Sequence, residues 1–411
     1  MVGGRSYTST ATPDAAARLR PPPDVCPAAS LPEPDAAARA HSAAVVQALA
    51  RQLAEAGGWI PLEAYLRFVL YAPGLGYYVA GARKFGADGD FVTAPELSPL
   101  FGAALAVEVA SHLVRHGGDV IELGAGTGRL AADLLRGLDA VAAMPRRYAI
   151  LEISPDLRER QRATLAREVP AFASRVEWIE ALPARWNGVV VMNEVLDAVP
   201  PHVLVRRGGR WFERGVVRTG AGLALEDRPL GPGSLRELGE ARFPPGVDYA
   251  SEVNPAAEAL VETLGQRAGR GTIVAIDYGF PRGEYYHPQR ATGTLMGHYR
   301  HRAHADPLLW PGLSDLTAHV DFTAIAEAGV RAGLSVAGFA TQAAFLLSCG
   351  MLERLAAVGP PTSVEYVRAT AAVQKLLSPA EMGELFKVLA LATDTPEPGP
   401  GFRLADMRHR L

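Results

Sequence analysis

The stretch Val120-Ile-Glu-Leu-Gly-Ala-Gly-Thr-Gly128 decides the fold. An apolar run of strand length ends in glycines at alternate positions, and Arg129 to Arg136 then reads as a helix. Gly124, Gly126 and Gly128 permit positive φ and let a ligand approach the backbone. A dinucleotide fingerprint requires G-x-G-x-x-G, and Arg129 occupies its third glycine position. The spacing here is G-x-G-x-G, with the acid Glu122 ahead of the first glycine. That combination suits a positively charged ligand better than a pyrophosphate.

Working outward, short strands and helices alternate. Strands are expected at 119–123, 147–153, 175–179, 188–192 and 272–277, with helices at 129–136 and 155–168. The run from Gly188 to Met192 is apolar at every side chain, as in a parallel sheet covered on both faces. The implied fold class is α/β, a doubly wound sheet. Upstream, 37–118 reads as a helical cover, broken by the Pro/Gly-bearing segment Tyr71-Ala-Pro-Gly-Leu-Gly-Tyr-Tyr78. Residues 119–411 form the main domain. Within it, 200–265 reads as an inserted hairpin and helix, and 279–320 as a long loop on the substrate side. Beyond it come a helix at 322–332, a strand at 334–339, helices near 342–357, 363–377 and 379–392, and a short strand at 401–404.

At roughly 150 residues per domain, 411 residues allow two or three units or one large α/β domain. Hydrophobic residues at 48% and charged residues at 21% exclude wholesale disorder. Residues 1–36 are the exception, a Pro-rich stretch expected to be a disordered tail. Its acids Asp14, Asp24 and Glu33 argue against a transit peptide. A net charge of -3 gives no general nucleic-acid footprint. Two cysteines, Cys26 and Cys349, build neither a disulfide framework nor a Cys-rich metal site, so a cytoplasmic location is expected. No apolar run is long enough for a membrane span. His287, His298, His301 and His304 lack regular ligand spacing, so no metal is expected.

Acids recur at the strand ends. Glu152 ends the second strand of the sheet, where a carboxylate can accept hydrogen bonds from two ribose hydroxyls. Asn193-Glu-Val-Leu-Asp197 leaves the fourth strand into the same crevice. Asp197 also reads as a helix cap, and His319 as a structural histidine capping the next helix.

The glycine loop with its acids is similar to that of class I S-adenosylmethionine (SAM) methyltransferases. The chain as a whole resembles the MidA-type methyltransferases, which include the mitochondrial arginine methyltransferase needed to assemble respiratory complex I. The resemblance runs from about Ala40 to the C-terminus. It rests on Gly74-Leu-Gly-Tyr-Tyr78, Gly89-Asp-Phe-Val-Thr-Ala-Pro-Glu96, Glu122 to Gly128, Asn193-Glu-Val-Leu-Asp-Ala198, Asp277-Tyr-Gly-Phe280, Gly293-Thr-Leu295 and Asp315 to Phe322. Lys84 to Asp90 reads as longer than usual, and Ala94 and Met296-Gly-His298 depart from the family pattern.

The resemblance implies a SAM-dependent enzyme with a protein acceptor, the 49-kDa-type subunit of complex I. Glu122, Gly124, Gly126, Gly128, Glu152, Asn193, Thr93, Pro95 and Glu96 are expected at the cofactor. Glu194 and Asp197 are expected to hold a guanidinium, and His319 with Asp321 to pass its proton outward. A methyltransferase with a small-molecule or other protein acceptor, and a SAM-binding assembly factor without turnover, are the alternatives.

Overall fold

The structure, a computed structural model, describes residue 27 and residues 30–80, 93–394 and 397–411. The expectations for most of the tail and for Lys84 to Asp90 lie outside the described residues. The central sheet runs, edge to edge, Ser335–Thr341, Phe386–Ala392, Ala268–Phe280, Trp186–Asn193, Asp119–Leu123, Tyr148–Leu151, Val176–Ile179. The pairs from Ala268–Phe280 through to Val176–Ile179 are all parallel. Phe386–Ala392 is antiparallel to both of its neighbours.

Alternate side chains of these strands enter two separate cores. Val189, Val191, Val274 and Ile276 pack on one face, against the Pro99–His116 and Arg129–Ala140 helices. Val190, Met192, Ile273 and Ala275 pack on the other, against Pro255–Gln266 and Phe322–Arg331. Both faces are covered, so every second residue has no polar side to turn to, which is why these strands read as continuous apolar runs.

Two C-terminal expectations are corrected. Residues 379–392 are not a helix; Phe386–Ala392 is a fully buried strand. Its sequence, Phe-Lys-Val-Leu-Ala-Leu-Ala, is apolar at nearly every position, and such a run has no period to separate strand from helix. The strand expected at 401–404 is a 3-10 turn, Pro400–Phe402, with Phe402 against Phe345.

The insertion and the helical cover are not independent. His202–Arg207, Arg210–Thr219, Gly222–Pro229 and Tyr249–Val253 form an antiparallel sheet, completed by Trp59–Pro61 from the N-terminal region. Val45, Leu49, Tyr65, Leu66 and Val69 share one core with Val203 and Val216 of that sheet. The 279–320 segment is not an open loop either. Met296–Tyr299, Arg302–His304 and Asp315–Thr317 pair into a small antiparallel sheet. The described end of the tail is docked against it: Leu31 is buried, and Arg302 donates to the Ser30 carbonyl at 2.6 Å.

Candidate active site

The carboxyl ends of adjacent parallel strands deliver Gly124, Glu152 and Asn193 to one edge of the sheet. They open into a cavity of about 300 Å³. Thr93, Pro95, Glu96, Glu122, Gly124, Gly126, Glu152, Asn193, Glu194 and Asp197 all line it.

The first half of the cavity is built around the glycine turn. Gly126 has φ +51°, and a Cβ there would meet no protein atom within 4 Å, so this edge is open to a ligand. Gly128 does not line the cavity, which corrects its expected role. At φ +83° it starts the Arg129–Ala140 helix, and a Cβ there would press within 3.1 Å of Gln161. Gln161 is a residue that sequence reasoning missed. Its amide nitrogen donates to the Gly126 carbonyl at 3.0 Å and to Glu152 at 3.1 Å, and its amide oxygen accepts the Trp178 indole N–H at 2.9 Å. Glu152 also accepts the Ser154 backbone N–H at 2.9 Å. Glu122 accepts the Tyr148 hydroxyl at 2.6 Å. Burial pushes Glu122 up to about 7 despite that bond, and raises Glu152 as well. Thr127 of the turn donates to Glu96, which ties the Ala94–Leu97 helix to the glycine loop.

The second half is acidic and aromatic. Glu194 follows the Trp186–Asn193 strand at φ +54°, a region uncommon for a side chain of its size, and its N–H donates to the Ile276 carbonyl at 2.9 Å. Asn193 donates to its carboxyl at 3.0 Å. Burial, with Asp197 nearby, pushes Glu194 up to about 8. Burial likewise pushes Asp197 up to about 6. Asp277, buried behind them, accepts the N–H groups of Leu196, Asp197 and Tyr278 at 3.0, 3.2 and 2.9 Å. That one carboxyl fixes the course of the loop carrying Glu194 and Asp197. Tyr71, Tyr78, Tyr278, His298 and Asp315 also line this half. Tyr78, Asp277, Tyr278 and Asp315 stand in motifs already quoted, but nothing in their spacing assigned them a place.

His319 and Asp321 are not in the cavity, and the proton relay expected of them is corrected. The His319 ring stacks on Phe280, with centroids 5.4 Å apart, and meets Tyr278 edge-on at 5.1 Å. Burial pushes it down to about 3, so it stays neutral. Asp321 caps the Phe322–Arg331 helix by accepting the Ala324 N–H at 3.2 Å, and lies 3.6 Å from Arg282. Both residues hold the layer behind the cleft.

Comparison with known proteins agrees with this architecture. A family model described as S-adenosyl-L-methionine-dependent methyltransferase matches residues 103–340. A crystal structure from Burkholderia thailandensis bound to S-adenosyl-homocysteine superposes with a TM-score of 0.89 at 48% identity, covering 93% of this chain and 100% of that one. The Drosophila melanogaster protein named protein arginine methyltransferase NDUFAF7 homolog, mitochondrial, is 29% identical over 95% of this chain and 94% of its own length. The Homo sapiens protein arginine methyltransferase NDUFAF7, mitochondrial, is 28% identical over 81% and 80%.

The chain belongs to the S-adenosyl-L-methionine-dependent methyltransferase family, with the class I methyltransferase fold. It is a SAM-dependent enzyme. The expectation of a cytoplasmic location is overturned by these relatives, whose names place them in mitochondria. Cysteine count reports redox conditions and carries no address. No helix among the described residues is long and apolar enough to cross a membrane.

Proposed function

We propose that this chain is a protein arginine N-methyltransferase acting on a respiratory complex I subunit of the 49-kDa type. The cluster of carboxyls in the cavity's second half carries this reading. Glu194, Asp197 and Asp315 converge there. The basic groups among the described lining residues do not offset them: Arg129 lies 3.2 Å from Asp133, and burial pushes His298 down to about 4. Carboxyls gathered in a buried cleft favour a cationic partner, because each ionised group there needs a close counter-charge. A guanidinium stays charged and pairs side-on with carboxylates through two N–H groups. The relatives named as arginine methyltransferases support the same acceptor.

The first half fits the cofactor. The open edge at Gly126, with Glu122 and Glu152 fixed by Tyr148 and Gln161, offers backbone approach and two oriented carboxyls. Bound SAM supplies an electrophilic methyl group on a sulfonium. Glu122, Gly124, Gly126, Glu152 and Asn193 would hold it, with Thr93, Pro95 and Glu96 covering it. Glu194 orients the guanidinium and takes its proton as the nitrogen gains the methyl group. A carboxyl pushed up to about 8 is suited to that exchange near neutral pH. Asp197 supports the same cation from the next turn of the loop, and Asp277 keeps both in place.

The test is mass spectrometry of the 49-kDa-type subunit in a strain lacking this protein. Loss of one methylated arginine, restored by the wild-type gene, is expected. An unchanged methylation pattern would overturn the arginine reading and favour another protein or a small molecule as acceptor.

A further inference from the structure

The cavity that holds Glu194 carries further groups to which the proposed chemistry has given no individual role. His298 and Asp315 are direct partners across the antiparallel pairing of Met296–Tyr299 with Asp315–Thr317, so their side chains stand on one face, about 5 Å apart at Cβ. Both line the cavity. Tyr78 donates its hydroxyl to Asp315 at 2.6 Å. The Tyr78 ring stacks on Tyr71, with centroids 5.3 Å apart and planes inclined by 27°. The Tyr71 hydroxyl in turn donates at 2.7 Å to the Ala198 carbonyl, on the loop that follows Glu194 and Asp197.

This wall is braced from behind. Buried Glu252 accepts the backbone N–H groups of Thr294 and Leu295, each at 2.9 Å. Gly293 sits at φ +80°, a conformation side chains rarely adopt, and a Cβ there would fall 2.4 Å from the Glu252 carboxylate, so glycine favours the close turn. The turn leads directly into the strand that carries His298.

We propose that Asp315, oriented by Tyr78, is a further acceptor-binding carboxylate beside Glu194 and Asp197, and that the Tyr71–Tyr78 stack is the wall on which a planar cation lies. This rests on the reading that the acceptor is an arginine. The chemistry is specific to that group. A guanidinium presents five N–H donors in one plane, so it can meet Glu194 along one edge and Asp315 along another. Its face stacks on an aromatic ring. A lysine ammonium has neither a flat face nor a second edge, so the same wall discriminates against it.

Asp315→Asn separates this role from a structural one, because the amide oxygen still accepts the Tyr78 hydroxyl while the charge is lost. The measurement is steady-state methylation of the recombinant 49-kDa-type subunit, with calorimetry of S-adenosylhomocysteine binding beside it. The expected result is a KM for the subunit raised about tenfold or more, kcat close to wild type, and unchanged S-adenosylhomocysteine affinity. Tyr78→Phe should shift KM in the same direction by less. A subunit carrying lysine at the target position should not be methylated by the wild type. An unchanged KM in folded Asp315→Asn overturns the inference, and so does a fall in kcat alone. Should Asp315→Asn lose S-adenosylhomocysteine binding, Tyr78→Phe decides in its place, and an unchanged KM there overturns the inference. A wild-type enzyme that methylates no arginine of the subunit sinks the underlying reading and this inference with it. Loss of turnover in Glu194→Gln together with a normal Asp315→Asn sinks only this inference.

Discussion

The two halves of the cleft are built differently. The cofactor side comes from consecutive strand ends of one sheet, and each of its carboxyls already has a protein donor: Tyr148 for Glu122, and Ser154 with Gln161 for Glu152. The acceptor side is assembled from the N-terminal helices, the fourth strand's exit loop and the small 296–317 sheet. Its acids crowd one another, and burial raises Glu194 and Asp197. Burial also raises Glu122 and Glu152, so the difference lies in the crowding of acids on the acceptor side and not in which side is protonated.

The largest expected effect tests the cofactor side. Gly126→Val puts a β-branched side chain at φ +51° on the open edge of the cavity. It should abolish S-adenosylhomocysteine binding in calorimetry while leaving a cooperative thermal transition. Wild-type affinity in the folded variant would remove the glycine turn from the cofactor site.

Next comes Glu194→Gln, which keeps the shape and removes the charge. Methyl transfer should fall by on the order of 10²-fold or more, with cofactor affinity within a few-fold. If turnover persists at the wild-type rate, the acceptor carboxylate is Asp197 or Asp315. Asp321, expected from the sequence to pass the proton outward, is engaged as a helix cap.

A third contrast is in pH. Glu194 sits at about 8 in the fold against an ordinary value of 4.5, so between those values the native state binds a proton that the unfolded chain has lost. Stability of the ligand-free protein therefore falls as pH rises through that window and levels off above it. Asp197, Asp277 and Glu122 add to the slope in the same direction. Glu194→Gln should raise the melting temperature more at about pH 8 than at about pH 5. An equal shift at both would show that Glu194 is ionised throughout.

The smallest effect concerns the end of the tail, which braces the acceptor side through Leu31 and the Arg302 bond to Ser30. Truncation to Asp35 should cost about 2 kcal/mol or less in chemical denaturation. Truncation to Pro27 should cost nothing measurable, and cofactor affinity should survive both. An undiminished stability in the shorter protein would show that Leu31 contributes no net packing.

The legibility of the sequence follows the same division. That Glu122, Gly124, Gly126 and Glu152 line one cavity was readable because a strand, a glycine turn and a helix are neighbours in the chain, and parallel strand ends must share an edge. Gly128 was misassigned because motif spacing cannot tell a residue facing the ligand from one facing the helix behind. His319 and Asp321 were misassigned because an acid and an imidazole two positions apart look the same whether they face a cleft or a core. Gln161 gave no signal, since a glutamine on an amphipathic helix reads as solvated surface.

The sequence by itself determined a buried parallel sheet, a glycine turn for a cationic ligand, and acids at the strand ends. Each follows from periodicity, backbone freedom or charge within a few residues. Only the tertiary structure decided that Phe386–Ala392 is a strand, because its neighbours on both sides supply the ladder that an all-apolar segment will accept. It alone decided that the cover and the insertion share a core, and that Tyr71, Tyr78, His298 and Asp315 line one cavity with Glu194. Those contacts join residues more than a hundred positions apart, brought together by the burial of apolar faces, and no local pattern encodes which distant face will be buried against which.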